Sequence, residues 1–281
     1  MGTLVTIHAV RPDTESAIER AFGWFDEIEQ RCTRFDERSE LMQLTARSGE
    51  PVAVSAVLFE AVRFARMVAE ESGGAFDPTI GHHMQARGYN REHRSGEIVR
   101  TSVTPAADVS YRDVELDPER RTITLRRPLL LDLGGVAKGL AIDAAVRELE
   151  PFSDFSIDAG GDLYLGGRNP NGEPWSVGIR HPRRDRQLID VLLVSNRAVC
   201  TSGDYERPDH IVDPRAGETA ATVASATVVA PNAMLADALA TAAFVMGPAA
   251  GLELLRRMGV EGLIFTPELE RFETGGLRVA A

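Results

Sequence analysis

Apolar residues change their spacing repeatedly along this chain, and each change marks an element. Thr3–Val10 is rich in β-branched residues and predicts a strand. Between Asp13 and Arg31, Ala17, Ala21, Phe22, Trp24, Phe25 and Ile28 recur at roughly helical spacing after a polar cap at Asp13 or Thr14, which predicts a helix. A second helix fits Ser55–Glu71, with Leu58, Val62, Phe64, Ala65 and Val68 on its inner side. Gly73-Gly74 ends it, since glycine readily takes the left-handed C-cap conformation. Residues 82–110 break the rhythm. They are poor in large apolar side chains and hold Arg87, Arg91, Arg94 and Arg100, which reads either as a solvated loop or as a basic flap over an anionic ligand.

Further along, Val114–Asp117 and Thr122–Leu125 predict a hairpin around Pro118–Arg121. Leu129–Leu133 predicts a short buried strand running into Gly134-Gly135 and a helix over 136–149. From Phe155 strands dominate, at 155–159, 163–165, 175–180 and 188–195. A turn-rich stretch over 201–219 is followed by a strand at 224–229, an alanine-rich helix over 232–246, a helix over 252–258 and a strand at 262–266. Neither a short-period repeat nor a linker interrupts this order. Helices mixed with antiparallel strands predict an α+β fold, organised as a single domain over residues 1–281.

Composition narrows the function classes. With 281 residues, 43% hydrophobic and 26% charged, the chain is of globular type, neither disordered nor fibrous. The net charge of -11 has the wrong sign for binding a phosphate backbone, so nucleic acid is not an expected partner. Cys32 and Cys200 are the two cysteines, too few for a disulfide framework or a four-cysteine zinc site. The most apolar stretch, 220–247, is interrupted by Pro231, Asn232 and Asp237 and does not read as a membrane span. No basic segment followed by an apolar run opens the sequence, so no signal peptide is read and the cytoplasm is the expected compartment. All basic residues but one are arginine. The single lysine, Lys138, sits in the most glycine-rich apolar motif, where a compact ammonium and a planar guanidinium are not equivalent.

Four segments carry residues suited to chemistry. In Gly73–Gly81, glycines allow close backbone approach to a ligand, and Asp77, held extended before Pro78, and Phe76 could meet a planar heterocycle; the same residues suit an ordinary Asx turn. In Leu131–Gly139 a strand enters paired glycines and a helix leaves, so free N–H groups and the helix dipole face the junction. There Lys138 can reach a phosphate and Asp132 can hydrogen-bond a ligand, yet the spacing is not that of a nucleoside-triphosphate loop. Asp237 and Thr241 share one helix face at i and i+4, a carboxylate and a hydroxyl among alanines that suit Mg²⁺, although Thr241 can equally bond back to a helix carbonyl. In Thr201–Gly217, His210 is a candidate general base. Ser202, His210 and an aspartate would form a hydrolase triad, but Ser202 lies in no Gly-x-Ser-x-Gly elbow. His82-His83 has no metal-ligand spacing and reads as surface.

Taken in order, Met1-Gly2-Thr3, Ser39-Glu40-Leu41, Gly74–Thr79, Asp132–Gly139, Asp158–Asp162, Thr201–Tyr205, His210–Pro214 and Ala236–Thr241 resemble the ApbE family of FAD:protein FMN transferases, from Met1 to about Phe265. The resemblance implies an ApbE-like fold and an enzyme that splits FAD with Mg²⁺ and attaches FMN to a Thr or Ser of an acceptor flavoprotein, releasing AMP. By motif position, it implies Asp237, Thr241 and the Gly135 carbonyl as metal ligands. It implies FAD contacts at Met1, Phe35, Ala75, Phe76, Asp77, Asp132, Lys138 and Ile211, and His210 as the group activating the acceptor hydroxyl. Phe35 stands where the family commonly has an aromatic with a hydroxyl, so stacking survives there without a hydrogen bond. Water in place of the acceptor would make the same site an FAD pyrophosphatase, and loss of chemistry altogether would leave a flavin-binding protein.

Overall fold

The computed structural model describes residues 2–92, 95–99, 101, 103–205 and 210–279. In chain order its elements begin with β1 (Val5–Ala9), α1 (Glu15–Cys32), α2 (Glu40–Thr45), β2 (Pro51–Ala53), α3 (Ala56–Glu71), α4 (Gly81–Ala86), β3 (Val114–Asp117), β4 (Thr122–Leu125) and α5 (Gly134–Leu149). There follow β5 (Phe155–Ala159), β6 (Asp162–Gly166), β7 (Trp175–Arg180), β8 (Leu188–Val194), β9 (Arg197–Gly203), β10 (Val212–Asp213) and β11 (Glu218–Thr219). The last are β12 (Ser225–Ala230), α6 (Ala233–Met246), α7 (Pro248–Arg257), β13 (Glu261–Phe265) and β14 (Arg271–Glu273). Helices with antiparallel sheets make this the expected α+β fold. The chain divides into two compact units, one comprising residue 2 with 26–137 and 213–218, the other 3–25, 138–212 and 219–279.

In the first unit β2, β4 and β3 form an antiparallel sheet in the order β2-β4-β3, and the expected 114–125 hairpin is its β3-β4 pair. Ser55 caps α3 by accepting the Leu58 N–H, and Leu58, Val62, Phe64, Ala65 and Val68 are buried along it. Ser39 caps α2 in the same way through the Met42 N–H. Leu129–Leu133 is not a strand. Leu129, Leu130, Leu131 and Leu133 are buried, as their composition demands, but the segment joins no ladder beyond a bridge from Leu130 to Ile80. Its backbone is satisfied instead by loop bonds, Gly81 N–H to the Leu130 carbonyl and Asp132 N–H to that of Pro78. The sequence reading also missed α2 and α4, which are one to two turns long and have no room for a full apolar period. His82 and His83 are half-buried, not surface residues, with rings 4.3 Å apart.

The second unit is built on a fully antiparallel sheet of order β1-β5-β6-β9-β12-β13-β14. The β7-β8 hairpin covers one face: Val177, Ile179, Leu192 and Val194 pack with Leu165, Val199, Val229, Leu263 and Phe265 in one apolar cluster. Against β9 and β12 packs α6, and α7 packs on α6 and β13. Every residue of β12 is buried, as expected of a central strand covered on both faces. The turn-rich reading of 201–219 fails at its start, because Thr201, Ser202 and Gly203 complete β9 between β6 and β12. Small and polar residues make a strand there because β12 supplies the ladder, Thr227 opposite Thr201, Ala226 opposite Ser202 and Ser225 opposite Gly203, a pairing that local propensity does not encode.

Candidate functional site

In the second unit, α6 displays Asp237 and Thr241. Its start is fixed twice. The Asn232 side chain accepts the Leu235 N–H, and the Asp143 carboxylate on α5 accepts those of Ala233 and Met234 at 2.6 and 2.9 Å. Burial outweighs these two bonds and pushes the Asp143 carboxyl up to about 6. From that start, the 3.6-residue period brings Asp237 and Thr241 onto one face. The Thr241 hydroxyl lies 3.1 Å from the Ser202 hydroxyl on β9 and 3.4 Å from the Asp237 carbonyl. Of the two sequence readings of Thr241, the bond back to its own helix carbonyl is present, and the hydroxyl also faces that of Ser202.

Lys138, in the first turns of α5, forms an ion pair with Asp162 at the start of β6. Asp162 is almost fully buried, and its other oxygen accepts the Thr201 N–H of β9 at 3.3 Å. Burial works against the Lys138 charge, but the carboxylates of Asp162 and Asp237 more than offset it and hold the ammonium above its ordinary range. Cys200, fully buried nearby, has its thiol raised by burial and by the same two carboxylates, and so stays neutral. Lys138, Asp162, Asp237, Ser202 and Thr241 thus form one polar cluster, with two carboxylates, one ammonium and two hydroxyls. Asp162, which the sequence reading gave no role, is its most buried charge. Its signal was present in Asp158–Asp162, where an acidic side chain directly follows paired glycines.

In the first unit, Asp132 is held at both oxygens. Oδ1 accepts the Gly134 N–H at the start of α5 at 2.8 Å, and Oδ2 accepts from Arg34 Nε at 2.6 Å. Arg34 is nearly buried, also donates to the Tyr89 carbonyl, and lies 4.2 Å from the centroid of the Phe35 ring. Phe35 in turn lines an open cleft with Asp36, Arg38, Ile98 and Val99. Arg34 escaped the sequence reading because its partner lies 98 residues away and no local period marks it. Gly135 departs from helical dihedrals inside the first turn of α5, at φ -88° and ψ 15°, which tilts its peptide out of the regular ladder.

The Gly73–Gly81 segment turns its side chains inward. Ala75, Phe76 and Asp77 are all buried. Asp77 accepts from the Thr79 N–H and hydroxyl and from the Tyr111 N–H, an Asx turn extended into the neighbouring loop. Burial still raises its carboxyl above the ordinary value despite those bonds. A ligand passing this segment would meet backbone rather than the Asp77 carboxylate. Of the basic residues in the 82–110 segment, Arg87 donates to the Gly217 carbonyl and Arg91 to that of Gly96, so both are engaged with the protein's own backbone. Arg94 and Arg100 lie outside the described residues, as does Met1. His210 is half-buried, and the buried Ile211 accepts the Ala220 N–H through its carbonyl.

Among the described residues no three His, Cys, Asp or Glu side chains converge into a metal cage. The oxygen set of Asp237, Thr241 and Ser202 nevertheless suits a hard cation, since Mg²⁺ typically takes one or two carboxylates and completes its octahedron with water and phosphate. No helix of the described residues is long and apolar enough to cross a membrane.

The ApbE family model matches residues 1–264. An FAD:protein FMN transferase of Treponema pallidum is 33% identical over 306 residues, covering 95% of this chain and 83% of that protein. One of Vibrio cholerae is 30% identical, covering 90% and 81%. Among solved structures, the ApbE protein of Thermotoga maritima superposes with a TM-score of 0.84 at 29% identity over 98% of this chain and 94% of that one. The flavin transferase ApbE of Vibrio cholerae also reaches 0.84, at 26% identity over 99% and 94%. Motif order, fold and near full-length similarity agree, and the chain belongs to the ApbE family.

Proposed function

We propose that this protein transfers FMN from FAD to a Thr or Ser hydroxyl of an acceptor flavoprotein and releases AMP, with residues 1–281 acting as one catalytic domain. The observation that carries this reading is the polar cluster of Lys138, Asp162, Asp237 and Thr241 in a chain of this family. The Asp237 carboxylate and the Thr241 hydroxyl are hard oxygen donors of the kind that suits a divalent cation. In this reading Asp237, Thr241 and the Gly135 carbonyl hold Mg²⁺, which when bound neutralises charge on the diphosphate oxygens.

The chain's own residues supply the rest. Lys138 contacts the diphosphate as a compact ammonium. Phe35 stacks on the flavin side, while Asp132, oriented by Arg34 and the Gly134 N–H, offers a fixed acceptor. Ala75, Phe76 and Asp77 contact FAD through their backbone, since their side chains point into the protein. Ile211 and Met1 complete the FAD contacts. His210 takes the proton of the acceptor hydroxyl as its oxygen attacks the FMN phosphorus; the bridging P–O bond breaks and AMP leaves.

The test mixes the protein with FAD, Mg²⁺ and an acceptor protein bearing a target threonine, reading flavin fluorescence of the acceptor band and AMP release. Fluorescent acceptor with AMP is expected. AMP without labelled acceptor would make the protein a pyrophosphatase, and neither signal with FAD bound would leave a binding protein. Asp237→Ala is expected to abolish Mg²⁺-dependent AMP release. His210→Ala is expected to lose transfer far more than FAD binding.

A further inference from the structure

The hairpin that joins β7 to β8 ends in a basic tip. Its sequence, Arg180-His181-Pro182-Arg183-Arg184-Asp185-Arg186-Gln187, sets four guanidiniums against one carboxylate in a chain whose net charge is -11. This tip is anchored. Arg183 donates from both terminal nitrogens to the Asp204 carboxylate, at 2.7 and 2.8 Å, and the Arg180 guanidinium lies 5.4 Å from the centroid of the Tyr205 ring. Asp204 and Tyr205 directly follow β9, and two residues before Asp204 is Ser202, whose hydroxyl lies 3.1 Å from that of Thr241. Two residues of chain reach at most about 7 Å, so the anchor of the tip lies beside the α6 face that carries Asp237 and Thr241.

The charges at the tip are answered unequally. Arg183 has Asp204, with Glu268 acting from further away. Arg186 approaches Asp185 at 3.7 Å, and both side chains are almost fully exposed, so water screens that pair. Among the described residues, Arg180 and Arg184 have no carboxylate partner. Beside them Leu188, which opens β8, is 57% exposed. We propose that this tip is a docking surface for the acceptor protein, engaging it through an acidic segment near the target hydroxyl. The inference rests on the reading that the protein transfers FMN to such an acceptor. A hydroxyl that reaches the reacting phosphorus brings its whole protein with it, and an ordinary interface covers about 800 Å² of each partner, a disc of about 16 Å radius. The tip falls inside that disc. Because the rest of the chain carries the negative charge, an acidic acceptor is repelled elsewhere and attracted here, which orients the encounter. Arginine suits this role, since its planar fork meets a carboxylate at two points.

The test measures kcat and KM for an acceptor flavoprotein bearing the target threonine, at saturating FAD and Mg²⁺. The proteins compared are the wild type, a variant with Arg184→Gln and Arg186→Gln, and one with Arg184→Glu and Arg186→Glu. Both positions are exposed, so all three are expected to melt together. Should the Glu variant fail to fold, the Gln variant decides by its KM. KM is expected to rise about tenfold in the Glu variant and less in the Gln variant, with kcat and FAD affinity as in the wild type. Raising salt from about 0.02 to about 0.3 M is expected to raise the wild-type KM and to lower that of the Glu variant, because salt screens attraction and repulsion alike. An unchanged or lower KM in the substituted proteins, or a loss confined to kcat, overturns the docking role while the transfer reading stands. A wild type that labels no acceptor, with or without AMP release, overturns the transfer reading and this inference with it.

Discussion

Gly139→Ala is the sharpest probe of how α6 is positioned. A Cβ at residue 139 would lie 2.5 Å from the Met234 Cα, 2.6 Å from the Ala233 carbonyl oxygen and 2.7 Å from its carbon. All three atoms belong to the backbone of the first turn of α6, so no side-chain rotation relieves the clash. Restoring ordinary contact of about 3.5–4 Å needs a shift of about 1–1.5 Å between α5 and α6. Overpacking of this kind costs about 1–3 kcal/mol, and an obstacle made of backbone places this case at the upper end. For a chain of this size, about 3 kcal/mol lowers Tm by about 6–10 °C. The same shift moves Asp237, one turn further along α6, and if Asp237 holds the metal as proposed, a misplacement of about 1 Å there costs about 100-fold in rate. Thermal melts and AMP release from FAD measure the two effects. A variant with Tm within about 1 °C of the wild type and unchanged AMP release would refute the packing argument. A lowered Tm with full AMP release would leave the packing intact and refute the claim that α6 placement controls the chemistry.

Two further outcomes follow from single residues. Asp143 has its pKa pushed from 3.8 up to about 6, so the folded state holds a proton that the unfolded chain releases. The stability this confers is present below about pH 4 and is lost as pH rises through 6, by about 3 kcal/mol at most. Urea midpoints between pH 4 and 7 are expected to show this decline in the wild type and a flatter profile in Asp143→Asn; equal slopes would show that Asp143 titrates normally. Gly23→Ala in the middle of α1 meets nothing within 4 Å, so it is expected to stabilise the protein by about 1 kcal/mol, and a fall in Tm would contradict that.

Several features were legible in the chain itself. The apolar period located α1 and α3 to within a few residues, because each must bury one face and the spacing of that face is written locally, while the paired glycines marked the start of α5 and the run of alanines marked α6. The 114–125 hairpin and the β5, β7 and β8 strands were likewise visible in alternation and turn residues. The i, i+4 relation of Asp237 and Thr241 and the isolation of Lys138 among arginines needed no coordinates. Motif order pointed to the ApbE family before any fold was in view.

Tertiary structure decided the rest. Leu129–Leu133 is apolar enough for a strand, but no neighbour offers it a ladder. Thr201–Gly203 looks like a turn, but β12 pairs with that stretch of chain. Asp162 meets Lys138 and Arg34 meets Asp132 across 24 and 98 positions of sequence. A helix or turn is specified by neighbours a few residues apart, so the sequence states it directly. A strand's partner, a buried ion pair and the state of a titrating group depend on which distant segments exclude water together, and folding alone brings those segments into contact.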